Sequence, residues 1–199
     1  MRGTKRMTAA VMAAVTVLAM GSCSDKAEPV ETLDTDVEIT VDGNELSVPF
    51  RIKDMGSEFK AIKGDPVPKY DMLLTMYEVK DKEESSVTLV VDEEKPRKIG
   101  KDSYAYLAMA AGTNNSAGLK VNGVGNGDSP EDVDKAMEGV KLEKEKKSSN
   151  GKTHRVYTDG DLEIYITINE DGKVFMVKVA DMTKIDISND LKDTSEKTT

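Results

Sequence analysis

Apolar and polar residues alternate in two short stretches near the start of the chain, residues 37–41 and 46–52. The Asp-Gly-Asn sequence at 42–44 separates them and favours a tight turn, because glycine adopts a positive φ at little steric cost. The pattern therefore predicts a β-hairpin. Pro49 has no backbone N–H to donate, so it indicates that the second strand lies at the edge of a sheet.

Three further apolar stretches, residues 72–79, 87–91 and 104–109, also predict strands. A charged segment separates the first two, and a segment with Pro and Gly separates the second from the third. The third stretch has two interpretations. It is either an exposed edge that recognises a partner together with Asn114 and Asn115, or a central strand of the sheet. The central strand is the favoured interpretation.

One helix signal stands in the second half of the chain. Ser129 or Asp128 is a typical N-cap, Pro130 suits the first helical position, and the acidic residues that follow favour the positive end of the helix dipole. Gly139 is predicted to end the element. Apolar residues at helical spacing give the helix one face to bury: Val133, Ala136 and Met137.

Residues 141–151 are charged and are predicted to form a loop. A three-stranded meander is predicted after them, around 156–158, 162–168 and 175–179, and each of its turns contains Asp-Gly. The apolar face of such a sheet must be covered, and the helix is the predicted cover. The fold class that follows is α+β and strand-dominated, with antiparallel sheets and one short helix packed on the C-terminal three-stranded meander.

Five segments follow from these patterns: a signal peptide at 1–22, a tether at 23–35, an N-terminal β-rich domain at 36–116, a helix-plus-meander domain at 117–182 and a polar tail at 183–199. The tether is polar and lacks periodicity, so it is predicted to be flexible. The sequence leaves open whether the two central segments form one folded unit or two.

The predicted signal peptide has three basic residues in its first six positions and then an uncharged apolar run at 7–20. That run of about 14 residues is shorter than the roughly 20 that a membrane-spanning helix needs, and small residues follow it. The sequence Met-Gly-Ser-Cys at 20–23 resembles the lipobox of bacterial lipoproteins. The resemblance implies a lipid on Cys23 that anchors the protein to the extracytoplasmic face of the cell membrane. The alternative is an ordinary signal peptide cut near Gly21.

Cys23 is the one cysteine of the chain. An exported chain rarely keeps a single thiol without a use, which favours its lipidation. Removal of residues 1–22 lowers the count of Lys and Arg from 28 to 25 against 37 Asp and Glu, so the net charge becomes −12. This balance disfavours nucleic acid as a partner, since phosphates require a basic surface. It also disfavours electrostatic docking on anionic lipid, which leaves the anchoring to the lipid chains.

The chain has a single histidine, His154, in a predicted strand. A catalytic histidine needs a nucleophile and an orienting group around it, and the sequence offers neither in a recognisable context. His154 is therefore predicted to be a surface residue, and one histidine with an acylated cysteine cannot form a tetrahedral zinc site. No catalytic residue and no cofactor are predicted, and the chain is not expected to be an enzyme.

Carboxylates are abundant, and oxygen ligands of this kind suit calcium. No stretch has the alternating acidic loop that calcium-binding motifs share. Turn and cap chemistry explains these residues without a metal, so no metal site is predicted. The residues concerned lie at the meander turns and around the helix start: Asp159, Asp161, Glu170, Asp171, Asn126, Asp128, Glu131 and Asp132.

The glycine-rich residues 118–127 lack the spacing of a dinucleotide-binding loop and the lysine of a phosphate-binding loop. Negative charge at the start of the following helix disfavours an anion there. A flexible connector between the two halves of the chain is the predicted role.

The segment 123–179 resembles a module that many small bacterial lipoproteins contain. The residues that carry the resemblance are Gly127-Asp128-Ser129-Pro130-Glu131-Asp132-Val133, then Gly139, Asp159-Gly160 and Asp171-Gly172-Lys173-Val174. The module is similar to the small lipoprotein of the β-barrel assembly machinery and to β-lactamase-inhibitor-like domains. That similarity implies a helix packed on a sheet whose surface binds other proteins. Residues 37–59 look like the N-terminal part of uncharacterised lipoproteins from Gram-positive anaerobes.

These observations predict an exported, lipid-anchored cell-envelope lipoprotein that acts as a non-catalytic protein-binding or accessory module. The lipid on Cys23 attaches it to the membrane, and an envelope protein is the expected partner. The alternative is an enzyme directed at the cell wall, or an inhibitor of an exported enzyme.

Overall fold

The structure is a computed structural model that describes residues 30–62, 66–69, 71–82, 85–93 and 95–185. Within these residues it is dominated by antiparallel strands and has one α-helix, α1, at Pro130–Ala136. The predicted α+β class is therefore confirmed. The strands of the described residues, in chain order, are β1 Ile39–Val41, β2 Asn44–Leu46, β3 Phe50–Arg51, β4 Phe59–Ala61, β5 Val67–Lys69, β6 Met72–Val79, β7 Ser86–Val91, β8 Tyr104–Ala111, β9 Lys120–Val121, β10 Val124–Gly125, β11 Lys141–Lys147, β12 Thr153–Asp159, β13 Leu162–Ile168 and β14 Val174–Asp181.

A large antiparallel sheet forms the centre of the molecule. Its strands follow the order β11-β12-β13-β14-β8-β7-β6-β4, while β3 pairs with β8 and β5 pairs with β6. Strand β8 lies between β14 and β7, so the predicted central position of residues 104–109 is confirmed. The pairing of β8 with β14 joins strands from the segments 36–116 and 117–182, so these two segments share one sheet.

One face of the large sheet, here the closed face, carries a continuous apolar core. Alternate side chains of β13 point into it, and the second sheet, of order β10-β9-β1-β2, covers it together with α1. Burial of these groups is the main favourable contribution to folding. The core joins residues from the large sheet, the small sheet and the helix: Ile164, Ile166, Val177, Val179, Ile39, Val41, Val121, Val133 and Met137.

The helix begins as its sequence predicts. The backbone N–H of Asp132 donates to Ser129 Oγ at 3.2 Å, and the Asp132 carboxylate accepts from the Ser129 backbone N–H at 3.1 Å. These reciprocal bonds satisfy donors that the first turn otherwise leaves without partners. Val133 is fully buried in the core, so the cap fixes the point at which α1 enters the closed face.

Residues 30–35, part of the predicted flexible tether, lie against the module. The Leu33 backbone N–H donates to the Val48 carbonyl at 2.8 Å, and Thr35 Oγ1 donates to the Asp159 carboxylate at 2.5 Å. Val30 packs on a second apolar cluster, on the opposite face of the large sheet, which also contains Ile185. The predicted signal peptide, Cys23 and the tail beyond Ile185 lie outside the described residues.

The predicted loop over 141–151 is wrong for its first seven residues, which form strand β11. The strand pairs with β12 and is the outer strand of the sheet, with side chains that are almost all exposed. Its alternating Lys and Glu residues carry no apolar period, so the sequence pattern does not show the strand. Charges on an edge strand protect it from pairing with other chains.

The predicted flexible connector at 118–127 is also wrong. These residues contain the hairpin β9-β10, and β9 pairs with β1. Gly118 has a φ of +74°, and a Cβ atom at this position would lie 2.8 Å from the backbone nitrogen of Asp42. The glycine therefore serves a close approach between two backbone segments rather than chain flexibility.

The single strand predicted over 46–52 is interrupted. It divides into the end of β2, a cis peptide bond between Val48 and Pro49, strand β3 and a 3₁₀ helix at Ile52–Met55. Strand β2 belongs to the small sheet and β3 to the large one. This segment therefore connects the two layers of the core.

Truncation of Ile166 tests the closed-face core. Ile166 is fully buried, so Ile166→Ala should lower the free energy of unfolding by about 2–5 kcal/mol through lost burial and an unfilled cavity. Leu142, 48% exposed on β11, provides a control, because Leu142→Ala should change that free energy by no more than about 0.5 kcal/mol. Urea unfolding curves measure both values, and equal losses in the two variants would contradict the assignment of the core.

Candidate functional site

His154 is buried, so its prediction as a surface residue is wrong. The residue is 8% exposed on β12, which lies between β11 and β13. Its Nδ1 atom is 3.1 Å from Thr167 Oγ1 and 3.0 Å from the Tyr165 hydroxyl. This error and the wrong loop prediction for residues 141–147 have one cause, because those residues form β11, the strand that flanks His154.

The environment of His154 favours its neutral form. Burial lowers the pKa of the imidazole below its ordinary value, and the charges of Lys152 and Lys146 lower it further. The hydrogen-bond partners of the ring are the hydroxyl groups of Thr167 and Tyr165 on the neighbouring strand β13. A neutral imidazole can donate a hydrogen bond to a hydroxyl group or accept one from it. The arrangement is a buried polar link between β12 and β13.

Five of the eight acidic and amide residues considered for calcium make turn, cap or backbone contacts through their side chains. The Asp159 carboxylate accepts from Thr35 Oγ1 and from the Asp36 backbone N–H, and the Asp128 carboxylate accepts from the Gly125 backbone N–H at 2.8 Å. Among the described residues, no group of three His, Cys, Asp or Glu side chains is placed to hold a metal ion. Three others have comparable local roles: Asn126, whose amide donates to two backbone carbonyls, Asp132 at the helix cap and Asp171, which accepts from the Lys173 backbone.

A groove of about 530 Å³ lies at the other end of the large sheet, beside β4. Its walls are the 3₁₀ helix at Ile52–Met55, strand β4 and residues 100–101, and Tyr77 of β6 contributes to its lining. We call it the lysine groove, because four lysines line it and, among the described residues, no carboxylate does. The four lysines are Lys53, Lys60, Lys80 and Lys101.

Backbone hydrogen bonds hold the walls of the lysine groove. The backbone N–H groups of Ile52 and Lys53 donate to the carbonyls of Ser103 and Lys101, at 3.1 and 3.0 Å. These bonds attach the 3₁₀ helix to the segment that precedes β8. The helix ends at Gly56, whose φ of +102° is in the range that favours glycine. The groove is therefore a gap between elements that are themselves fixed.

The lysines are held at the rim of the groove. Lys53 Nζ lies 2.7 Å from the exposed carboxylate of Asp102 and lowers the pKa of that group. Lys60 Nζ lies 3.3 Å from Glu78, and Lys80 Nζ donates to the Ser57 carbonyl at 2.5 Å. Exposed ion pairs of this kind contribute little to stability. They hold positive charge near the groove and can exchange partners.

Tyr77 brings a polar group into an otherwise apolar part of the groove, next to the half-buried Phe59. Its side chain is 9% exposed, and burial raises the pKa of the phenol. No hydrogen bond to its hydroxyl is recorded within the described part of the chain. A hydroxyl group can both donate and accept a hydrogen bond, so this one can bond to a molecule in the groove.

The sequence did not indicate the lysine groove. Lys53, Lys60, Lys80 and Lys101 lie on four separate segments, and only the strand pairing and the 3₁₀ helix bring them together. Strand β4 has three residues, too few for a periodic pattern. The predicted site residue Cys23 does not help to locate the groove, because it lies outside the described residues.

Comparisons with known proteins give no relative. No protein-family model, no curated protein and no solved structure matches the chain. Among the described residues, no helix is both long and apolar enough to cross a membrane. The fold and the groove thus define the molecule as a two-sheet α+β module with an accessible, lysine-lined groove at one sheet edge. The resemblance to small lipoproteins stays a prediction.

The burial of His154 predicts a pH-dependent stability. The folded chain holds the imidazole pKa below 6.5, so the unfolded chain binds more protons as the pH falls through that value. The free energy of unfolding should therefore be highest above about pH 7.5 and should decrease as the pH falls toward about 5.5. In this range the one histidine is the main group that titrates.

Urea unfolding across this pH range measures the effect. His154→Asn should flatten the dependence, whereas Thr153→Ser, which retains the histidine on the same strand, should preserve it. An unchanged pH dependence in His154→Asn would contradict the assignment.

Proposed function

We propose that the chain is an exported, lipid-anchored cell-envelope lipoprotein that binds another envelope protein and catalyses no reaction. The observation that carries the binding role is the lysine groove. It combines accessible positive charge, apolar surface and the Tyr77 hydroxyl in one cavity. Its volume lies in the range of about 300–1,000 Å³ that is typical of binding sites.

The non-catalytic role is supported by the separation of the groove from the histidine. His154 lies on β12, near one end of the large sheet, while the groove borders β4 at the other end. The groove itself is lined by lysines, apolar groups, small residues and a phenol whose pKa is raised. A catalytic lysine is usually desolvated, whereas the side chain of Lys60 is about half exposed and retains its contact with water.

The anchor is supported by the Met-Gly-Ser-Cys sequence at 20–23 and by the contacts of Val30. Only residues 24–29 separate Cys23 from Val30, and a chain of this length spans at most about 25 Å when fully extended. A lipid on Cys23 would therefore hold the module close to the bilayer. Such a position suits a partner that is itself in or next to the membrane.

Metabolic labelling tests the anchor. A fatty-acid probe should label the full-length chain in bacteria and should fail to label Cys23→Ala, since the thioether requires the thiol. Ser24→Ala is a matched control that should keep the label. A label that persists on Cys23→Ala would contradict the proposal.

Crosslinking in intact cells tests the binding role. The lipidated protein should capture a defined envelope protein, and hydrolysis of cell-wall substrates by the purified protein should stay at the level of the buffer. Turnover of such a substrate would contradict the non-catalytic role.

A further inference from the structure

We propose that the lysine groove binds an extended, acidic segment of the partner polypeptide, which pairs through its backbone with the outer edge of β4. This inference rests on the proposed protein-binding function and adds the chemistry of the partner. Three features support it: a strand edge that no strand of the described residues pairs with, a group of lysines and the Tyr77 hydroxyl.

The first feature is the edge of the sheet. Strand β4 pairs with β6 through Phe59–Val79, Lys60–Glu78 and Ala61–Tyr77, and it stands last in the strand order. On its far side no strand of the described residues pairs with it. An extended peptide can use such N–H and C=O groups to add a strand, which gives affinity without a particular sequence.

The second feature is the charge of the groove. Four of its lining residues are lysines, while the chain after residue 22 has a net charge of −12. An acidic segment would be repelled by most of the surface and attracted here. Complementary charge of this kind fixes the register of a complex and raises its rate of association. The rim partners Asp102 and Glu78 are on the surface and can be replaced by carboxylates of the ligand.

The third feature is the lining of the groove, to which Tyr77, Phe59 and Ile52 contribute. The hydroxyl can donate to a carboxylate or a backbone carbonyl, and the apolar groups can contact an aliphatic side chain. Successive side chains of a strand point to opposite faces, so a bound strand presents only every second side chain to the groove. A segment that alternates acidic and aliphatic residues therefore turns one kind of side chain toward the groove and the other kind away, so a single register is favoured. An anionic phosphate polymer would satisfy the charge but would leave the strand edge of β4 without partners.

Fluorescence polarisation of a labelled peptide with the lipidated mature protein in detergent micelles tests this inference. The probe is a seven-residue peptide of alternating Asp and Val, and the counter-probe alternates Lys and Val. We expect the acidic probe to bind at least about tenfold more tightly, with an affinity that falls as salt is added. Equal affinity of the two probes, or tighter binding of inorganic polyphosphate than of the acidic probe, would overturn the inference.

Variants locate the binding to the groove. The double variant Lys60→Glu with Lys101→Glu should lower the affinity for the acidic probe by about tenfold or more, because it reverses two charges. Lys147→Glu makes the same kind of change on the exposed strand β11 and should leave the affinity within about twofold. Equal losses in the double variant and in Lys147→Glu would overturn the inference.

Tyr77→Phe removes only the hydroxyl, which has no recorded partner in the described residues, so the fold should be retained. The variant should lower the affinity for the acidic probe by about threefold to tenfold, which is the effect of losing one hydrogen bond. Circular dichroism and the midpoint of thermal unfolding confirm that it is folded. An unchanged affinity in the folded variant would count against the groove as the site.

Backbone methylation tests the strand pairing. Two acidic probes carry N-methyl groups, one on the odd and one on the even residues. Because one set of N–H groups points toward β4 and the other away, one probe should lose about tenfold or more in affinity while the other retains it. Equal affinities of the two methylated probes would overturn strand addition.

The crosslinked envelope partner separates this inference from the proposed function. If the acidic probe fails to bind while the partner is captured equally by the wild type and by the double variant, the acidic-strand inference is wrong and the binding function stands. If Cys23 carries no lipid or no envelope protein is captured, the proposed function is wrong, whatever the peptides do.

Discussion

The antiparallel pairing of β8 with β14 joins two parts of the chain that lie far apart in sequence. Residues 176–180 pair with residues 107–111, and the Val174 backbone exchanges hydrogen bonds with Gly127 and Asp128 just beside this pairing. The same few residues therefore fix the sheet and the start of the helix segment. Without this pairing each half would present an unpaired central strand, and the closed face would be divided into two incomplete cores.

The two faces of the joined sheet have different roles. The small sheet and α1 cover the closed face, whose core contains Ile164, Ile166 and Val133. The opposite face carries the smaller apolar cluster. Ile185 belongs to this cluster, and Val30 packs against it. The first described residue of the chain is thus held against the sheet. A lipid on Cys23, as proposed, would therefore be attached within about 25 Å of this face.

The sequence predicted the elements whose patterns are local. Apolar stretches located β6, β7 and β8, alternation located β1 and β13, and cap chemistry at Ser129 located α1. It missed β11 because an edge strand with exposed side chains needs no apolar period, and with β11 it missed the burial of His154. The lysine groove brings together residues that are far apart in sequence, such as Lys60 and Lys101, and no local pattern contains that information.

The outer strands of the large sheet, β11 and β4, show how a sheet edge can be either protected from an added strand or available to one. Strand β11 carries charges of both signs, and several are already paired within the chain, as Lys141 is with Glu143 and Arg155 of β12 is with Glu145. A strand added there would meet mixed charge and would disturb existing ion pairs. Strand β4 is short and borders a groove lined by charge of one sign. Backbone pairing alone does not distinguish an acidic strand from a basic one, so under the proposed binding the difference in charge is what favours an acidic strand at β4.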